Sequence, residues 1–220
     1  MIRLARPCVL ALVIALTTGC PAFFVDRGEI VAPTRELTRP AARALPASST
    51  YVDLEERWTR EIRLGLGGHA EAVLKDPGLA AAELAHEAAL QDVRGAELET
   101  LITNRWTTYY GAEGDRFPID VNWRFNEQFI SKAAILDPAS WTIELVTSSG
   151  KRFAPVATTV LAASPKPTGG YWQGAIRLWF PWRDPDSADA VIAGHTSWVA
   201  LSLDHPSGSG DLTWRFRTLF

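Results

Sequence analysis

The sequence predicts an α+β fold: an N-terminal helical segment followed by an antiparallel β-sandwich. Three observations lead there. From about Thr50 to Tyr110, apolar residues recur at spacings of three and four, the period of an amphipathic helix. After Tyr110 the period falls to two, and short alternating runs separated by Gly, Pro and Ser clusters continue to the C-terminus. Nine tryptophans, seven of them from Trp123 to Trp214, supply the second part with a large aromatic core.

At the N-terminus, Arg3 and Arg6 precede an apolar run from Val9 to Leu16, closed by Thr17-Thr18-Gly19-Cys20. A basic start, a short apolar stretch and a small-residue end are the layout of an export signal. The apolar run falls well short of the roughly 20 residues a membrane-spanning helix needs. The Gly19-Cys20 ending resembles the lipobox of bacterial lipoproteins, with Thr17 where that family usually carries Leu. The resemblance covers residues 1–20 only. It implies that residues 1–19 are a signal peptide and that Cys20 is acylated and begins the mature chain. By the same resemblance, Pro21 rather than Asp after the cysteine implies anchoring at the bacterial outer membrane.

From Cys20 onward the chain carries 20 basic and 25 acidic residues, a net charge of −5. That balance excludes a basic surface of the kind that holds nucleic acid. Cys8 and Cys20 are the two cysteines, so a lipidated mature chain has no disulfide and relies on its hydrophobic core. Residues 20–49, with Pro21, Pro33, Pro40 and Pro46, read as a lipidated N-terminus and tether. Proline blocks helix interiors and sheet ladders, and 29 extended residues (Pro21 to Ser49) reach on the order of 100 Å.

The helical segment spans 50–110. Thr50 and Asp53 have capping-box spacing, and Tyr51, Leu54, Trp58 and Ile62 form one apolar stripe that ends at the Gly65-Gly67-Gly68 cluster. A short helix is expected from about His69 to Lys75. Asp76-Pro77 then opens a long Ala- and Leu-rich helix running to about Trp106, weakened in its middle by Gly95.

The β-sandwich domain spans 111–220. Phe117, Ile119, Val121, Trp123 and Phe125 alternate without a break. Trp141, Ile143 and Leu145 repeat the pattern, Thr147 to Gly150 turns the chain, and Val156 to Leu161 continues it. Further strands follow at Tyr171 to Trp182, at Val199, Leu201 and Leu203, and at Leu212, Trp214 and Phe216. Six or seven short strands fit a sandwich of immunoglobulin-like type, without the cysteine pair of a true immunoglobulin domain.

Chemistry-bearing motifs are sparse. Glu83 and His86 share a helix face, as in di-iron bundles, but only once. His69 and Glu71 lack partners, and His195 and His205 lie too far apart on an extended strand to share a metal. Ser148-Ser149-Gly150-Lys151 matches Ser-x-x-Lys but falls in a hairpin rather than at a helix start. Gly208-Ser209-Gly210 reads as a turn, and Asp184, Asp186 and Asp189 as a polar loop with calcium binding as the sharper alternative. No catalytic set, resident metal or cofactor is expected.

The tryptophans remain to be explained. Tyr171, Arg177 and Trp179 alternate away from Ile176 and Leu178, and Trp198 away from Val199 and Leu201. One reading has the helical segment covering this second face and burying Trp179 and Trp198. The other makes Tyr171, Arg177, Trp179 and Trp198 a candidate ligand platform that stacks on sugar rings or a partner protein. The expected function is a membrane-anchored binding or envelope-assembly module. Its partners would be the bilayer through Cys20 and an envelope protein or glycan. A glycan-acting envelope enzyme is the alternative.

Overall fold

The computed structural model of the chain describes residues 30–31, 37–65, 67–128, 140–164, 166–205 and 208–217. Cys20 and its surrounding signal segment lie outside the described residues. Two five-stranded, mostly antiparallel sheets pack face to face, and helices cover part of one of them. The fold is therefore α+β, built in three layers.

The first element is β1 (Ile30–Val31), which pairs in parallel with the last strand, β10 (Gly208–Arg217), placing Ile30 opposite Phe216. Ile30 is buried, and Leu37, Ala42 and Leu45 pack against the core. A 3-10 turn at Ala42–Ala44 sits by the third helix, where the Ala42 amide donates to Glu99 Oε1 (3.4 Å) and Arg39 Nη1 donates to Thr103 Oγ1 (3.3 Å). Of the stretch expected to be a tether, Ile30–Val31 and residues 37–49 are described, and both pieces lie on the domain. Around Pro40 and Pro46 the described residues form short extended and 3-10 pieces, from which Leu37, Ala42 and Leu45 still pack on the core.

Helix α1 (Thr50–Trp58) starts where expected but stops four residues early. Thr59 turns extended, and its hydroxyl donates to the Glu55 carbonyl (2.7 Å). The chain continues as strand β2 (Thr59–Leu64) and, across the glycine cluster, returns as β3 (Gly68–Leu74). The expected short helix at 69–75 is therefore a strand, and the segment 50–110 is not purely helical. Two features hid the hairpin from its sequence. Arg60 occupies an inward position of β2, where its buried guanidinium donates to the carbonyls of Thr213 (2.9 Å), Arg57 and Thr59 (both 2.7 Å). On β3 two of the inward positions are Ala70 and Ala72, good helix formers that here lie opposite Trp123 and Val121 of β4.

Asp76 caps helix α2 (Pro77–Gln91) by accepting from the Gly78 amide at 2.8 Å, with Pro77 at the first helical position. The long helix expected through Trp106 is in fact two. Asp92 enters the left-handed region (φ 51°), Gly95 follows at φ 58°, and α3 (Gly95–Tyr110) begins there. A positive φ suits glycine, so Gly95 marks a break between helices rather than a weak point within one.

Strand β4 (Arg116–Asn126) matches the alternation read from the sequence. Then come β5 (Thr142–Thr147), β6 (Arg152–Phe153), β7 (Ala157–Ala163), β8 (Tyr171–Pro181), β9 (Trp198–His205) and β10. One sheet has the order β1-β10-β9-β5-β6 and the other β2-β3-β4-β8-β7. Their facing sides share one core. Phe117, Ile119, Val121, Phe125, Leu178 and Phe180 come from the second sheet, and Leu145, Val199, Leu201, Leu212 and Trp214 from the first. Trp214 is fully buried, and its indole N–H donates to the Trp58 carbonyl at 2.6 Å, tying α1 to β10. Gly174 lies opposite Trp123, and a Cβ there would approach that indole to 2.2 Å, so the close approach of β8 to the ring depends on glycine.

Candidate functional site

Register carries the site. On the outer face of the second sheet, the row Thr59, Val73, Asp120 and Arg177 lies beside the row Glu61, Glu71, Asn122 and Ala175. Next comes Arg63, His69, Arg124 and Gln173. The first row lies under the helices, and the next two are open.

Under the helices, Arg177 donates to both carboxylate oxygens of Asp120, Nε to Oδ1 at 2.6 Å and Nη2 to Oδ2 at 2.7 Å. Its guanidinium carbon stands 4.6 Å from the centre of the Tyr109 ring. Burial alone would lower the Arg177 pKa; the hydrogen bonds to Asp120 and the charge of that carboxylate outweigh it and raise the value. Burial, and then the charge of Glu83, push the Tyr109 hydroxyl above the usual tyrosine range. Glu83 also pairs with the buried Lys75 (3.1 Å), and the Tyr110 hydroxyl donates to the Lys75 carbonyl at 2.9 Å. His86 stacks on Tyr51 with ring centres 5.1 Å apart. The Glu83/His86 pair is thus engaged in packing the helices, each residue with a different partner.

Trp179 is only 8% exposed, and its indole N–H donates to the Thr108 carbonyl of α3 at 3.3 Å. The helices therefore cover Arg177 and Trp179, and these two do not form an open platform. Trp198 belongs to β9 in the other sheet, half-buried, so it shares no surface with them. Tyr171, 37% exposed, is the member of the expected platform that remains open.

Beside Tyr171 the uncovered rows form a shallow depression of about 370 Å³, lined by Glu61, His69, Glu71, Asn122, Arg124 and Gln173. His69 Nε2 lies 3.6 Å from Glu61 Oε2, and Asn122 Nδ2 donates to Glu71 Oε1 at 3.4 Å. The Arg124 guanidinium carbon stands 6.0 Å from the Tyr171 ring centre. Glu61 and Glu71 are direct cross-strand partners, which sets their Cβ atoms about 4.5 to 5.5 Å apart. Sequence reading missed this cluster because it took β3 for a helix. The signal that would have found it is the glycine cluster at 65–68, flanked by two alternating runs, which is a hairpin pattern.

A second, smaller depression of about 140 Å³ lies between the β5–β6 turn and the loop after β8. Lys151 pairs there with Asp184, and that hydrogen bond, with another from the Asp186 amide, holds the Asp184 carboxyl below its usual range. Ser187 Oγ donates to the same carboxylate (3.2 Å), and Ser148 Oγ accepts from the Ser197 amide (3.1 Å). The Ser-x-x-Lys match thus fastens turn to loop, with its lysine paired to Asp184. The three-aspartate loop uses Asp184 for its own geometry. Among the described residues, no group of His, Cys, Asp and Glu is arranged to hold a metal ion. His205 packs against the rings of Trp141 (4.6 Å) and Phe125 (5.3 Å), away from His195, which lines the small depression. Among the described residues no helix is long and apolar enough to cross a membrane.

No family model matches the chain, and no curated protein does. Among solved structures, the chain is similar to the crystal structure of a novel protein of unknown function from Burkholderia pseudomallei K96243. The match has 9% sequence identity and a TM-score of 0.44, covering 80% of this chain and 93% of that one.

Proposed function

We propose that the chain is a bacterial cell-envelope lipoprotein, anchored by acylated Cys20 at the outer membrane, whose folded domain is a non-enzymatic binding module. The ligand class that fits is a hydroxyl-rich glycan, bound on the open half of the outer sheet face. One observation carries this reading: Tyr171 faces Arg124, a guanidinium that lines a depression together with carboxylates and amides fixed in strand register. Sugar recognition uses that chemistry, with planar polar groups bonding hydroxyls and a ring stacking on the apolar face of the sugar. The immunoglobulin-like description of the sandwich belongs to the same proposal. Its support is that the chain crosses between the facing sheets after β4, β6 and β8.

The test is glycan binding by the full-length chain in detergent, comparing Tyr171→Ala and Arg124→Ala with the unchanged protein. Both substitutions should weaken binding tenfold or more and leave the thermal midpoint in place, since both side chains lie outside the core. Glycan binding that survives both would defeat the assignment. For the anchor, Cys20→Ser should shift the protein from the membrane to the soluble fraction.

The Glu61–Glu71 pair favours a second reading, a glycan-hydrolysing enzyme. Retaining glycosidases hold two carboxyl groups about 5 to 5.5 Å apart, and Glu61 and Glu71, as direct cross-strand partners, carry their carboxyl groups on Cβ atoms about 4.5 to 5.5 Å apart. Turnover of a bound glycan that Glu61→Gln and Glu71→Gln each abolish would favour the enzyme; binding without turnover favours the module.

A further inference from the structure

Strand β7 (Ala157–Ala163) is an edge of the second sheet: β8 lies on one side, and no other described strand pairs with it. An open edge presents unpaired backbone donors and acceptors, and proteins usually guard it with lysine, an inward charge or a covering element. Here the guards are few. Between Arg152 and Lys166 there is no charged residue, although charged residues make up 21% of the chain. Val156 is 61% exposed, Val160 53% and Leu161 47%, and six of the seven strand residues are exposed. The register shift between Val160 and Ala162 leaves Leu161 without a counterpart on β8. Prolines at 155 and 165 bracket the stretch without interrupting it.

We propose that this edge pairs antiparallel with β7 of a second copy of the chain, about a twofold axis near Val160, joining two five-stranded sheets into one. The sequence of the strand is compatible with itself. With Val160, the midpoint of β7, on the axis, Thr158 lies opposite Ala162 and Thr159 opposite Leu161. β-Branched and apolar residues are favourable cross-strand neighbours. In that register Arg152 faces Thr168 and Lys166 faces Ala154, so the flanking cations do not meet. A strongly charged partner would find no complementary charge anywhere on the strand. Seven residues give an edge only about 24 Å long. Such an interface is smaller than the standard size for stable complexes, so the pairing is reversible and grows in with concentration.

Cysteine cross-linking of the full-length chain in mild detergent tests this. Val160→Cys would sit opposite itself across the axis, close to disulfide reach. Oxidation with copper phenanthroline should then trap a covalent dimer several-fold more abundantly than in two controls. One is the unchanged chain, which reports Cys8 and Cys20; the other is Val52→Cys, a somewhat more exposed position on α1 (61%) that reports random collision. Adding Thr159→Lys, or separately Leu161→Lys, to Val160→Cys should cut the yield to control level. Both sites are exposed, and near-ultraviolet circular dichroism checks that each variant is folded. A Val160→Cys yield no higher than that of Val52→Cys overturns the proposal. So does a yield that a folded lysine variant leaves unchanged.

Discussion

Removing Asp120 tests the division of the outer sheet face into a covered and an open half. The Arg177 side chain is 11% exposed and that of Asp120 17%, so Asp120→Ala strands a guanidinium beneath α3 with no carboxylate bonded to it, leaving the Tyr109 ring and the more distant charge of Glu83. Breaking a buried pair from one side typically costs 3 to 5 kcal/mol, because the surviving charge stays desolvated. The ring retains a cation–π attraction of about 1 kcal/mol, which places the expected loss near the low end, about 3 kcal/mol. With a urea slope of about 2 kcal/mol per molar, the midpoint should fall by about 1.5 M. Replacing both partners, Asp120→Leu with Arg177→Met, should recover most of that loss, since apolar side chains of similar volume remove the uncompensated charge. Urea melts followed by tryptophan fluorescence read all three proteins. A stability loss under about 0.5 kcal/mol for Asp120→Ala would place the pair in solvent, and the helical cover would then be wrong.

Tyr51, Tyr109 and Tyr110 are all held above the usual tyrosine range, each chiefly by burial. A raised folded-state pKa contributes stability that is complete below the unfolded tyrosine value of about 10 and is lost as pH rises above it. Absorbance at 295 nm should therefore show these phenolates appearing together with alkaline unfolding; gradual ionisation in the folded protein would refute the burial. Starting the chain at Ala47 removes Ile30, Leu37, Ala42 and Leu45 from the core. That version should melt several degrees below one starting at Pro21, and equal midpoints would show that β1 and the 3-10 turn add nothing.

The strands after Tyr110 were legible because large apolar residues alternate there without interruption, as from Phe117 to Phe125. The β2–β3 hairpin was not. Its inward positions include Arg60, Ala70 and Ala72, whose intrinsic preferences are polar or helical, and only the neighbouring strands make those positions interior. The split between α2 and α3 turned on two backbone angles, at Asp92 and Gly95, that composition does not reveal. Of the site, Tyr171 was readable as an outward aromatic. The convergence of Glu61, His69, Glu71 and Arg124 depends on pairing across three strands, and so on a register that no local pattern states.

The parallel pairing of β1 with β10 also bears on mechanics. Among the described residues, tension applied along the N-terminal segment meets Ile30–Val31 first, a two-residue seam at a sheet margin. Such a seam yields before the longer strand pairs, and the loss of the Leu37, Ala42 and Leu45 packing and of the Arg39 and Ala42 hydrogen bonds after it would free the chain from Ile30 as far as Thr50, where α1 begins. Twenty residues of backbone span about 70 Å when drawn out. A short leash would thus lengthen severalfold under load while the depression beside Tyr171 kept its shape. Two residues of sheet would act as a mechanical fuse, setting how far the domain stands from whatever holds its N-terminus.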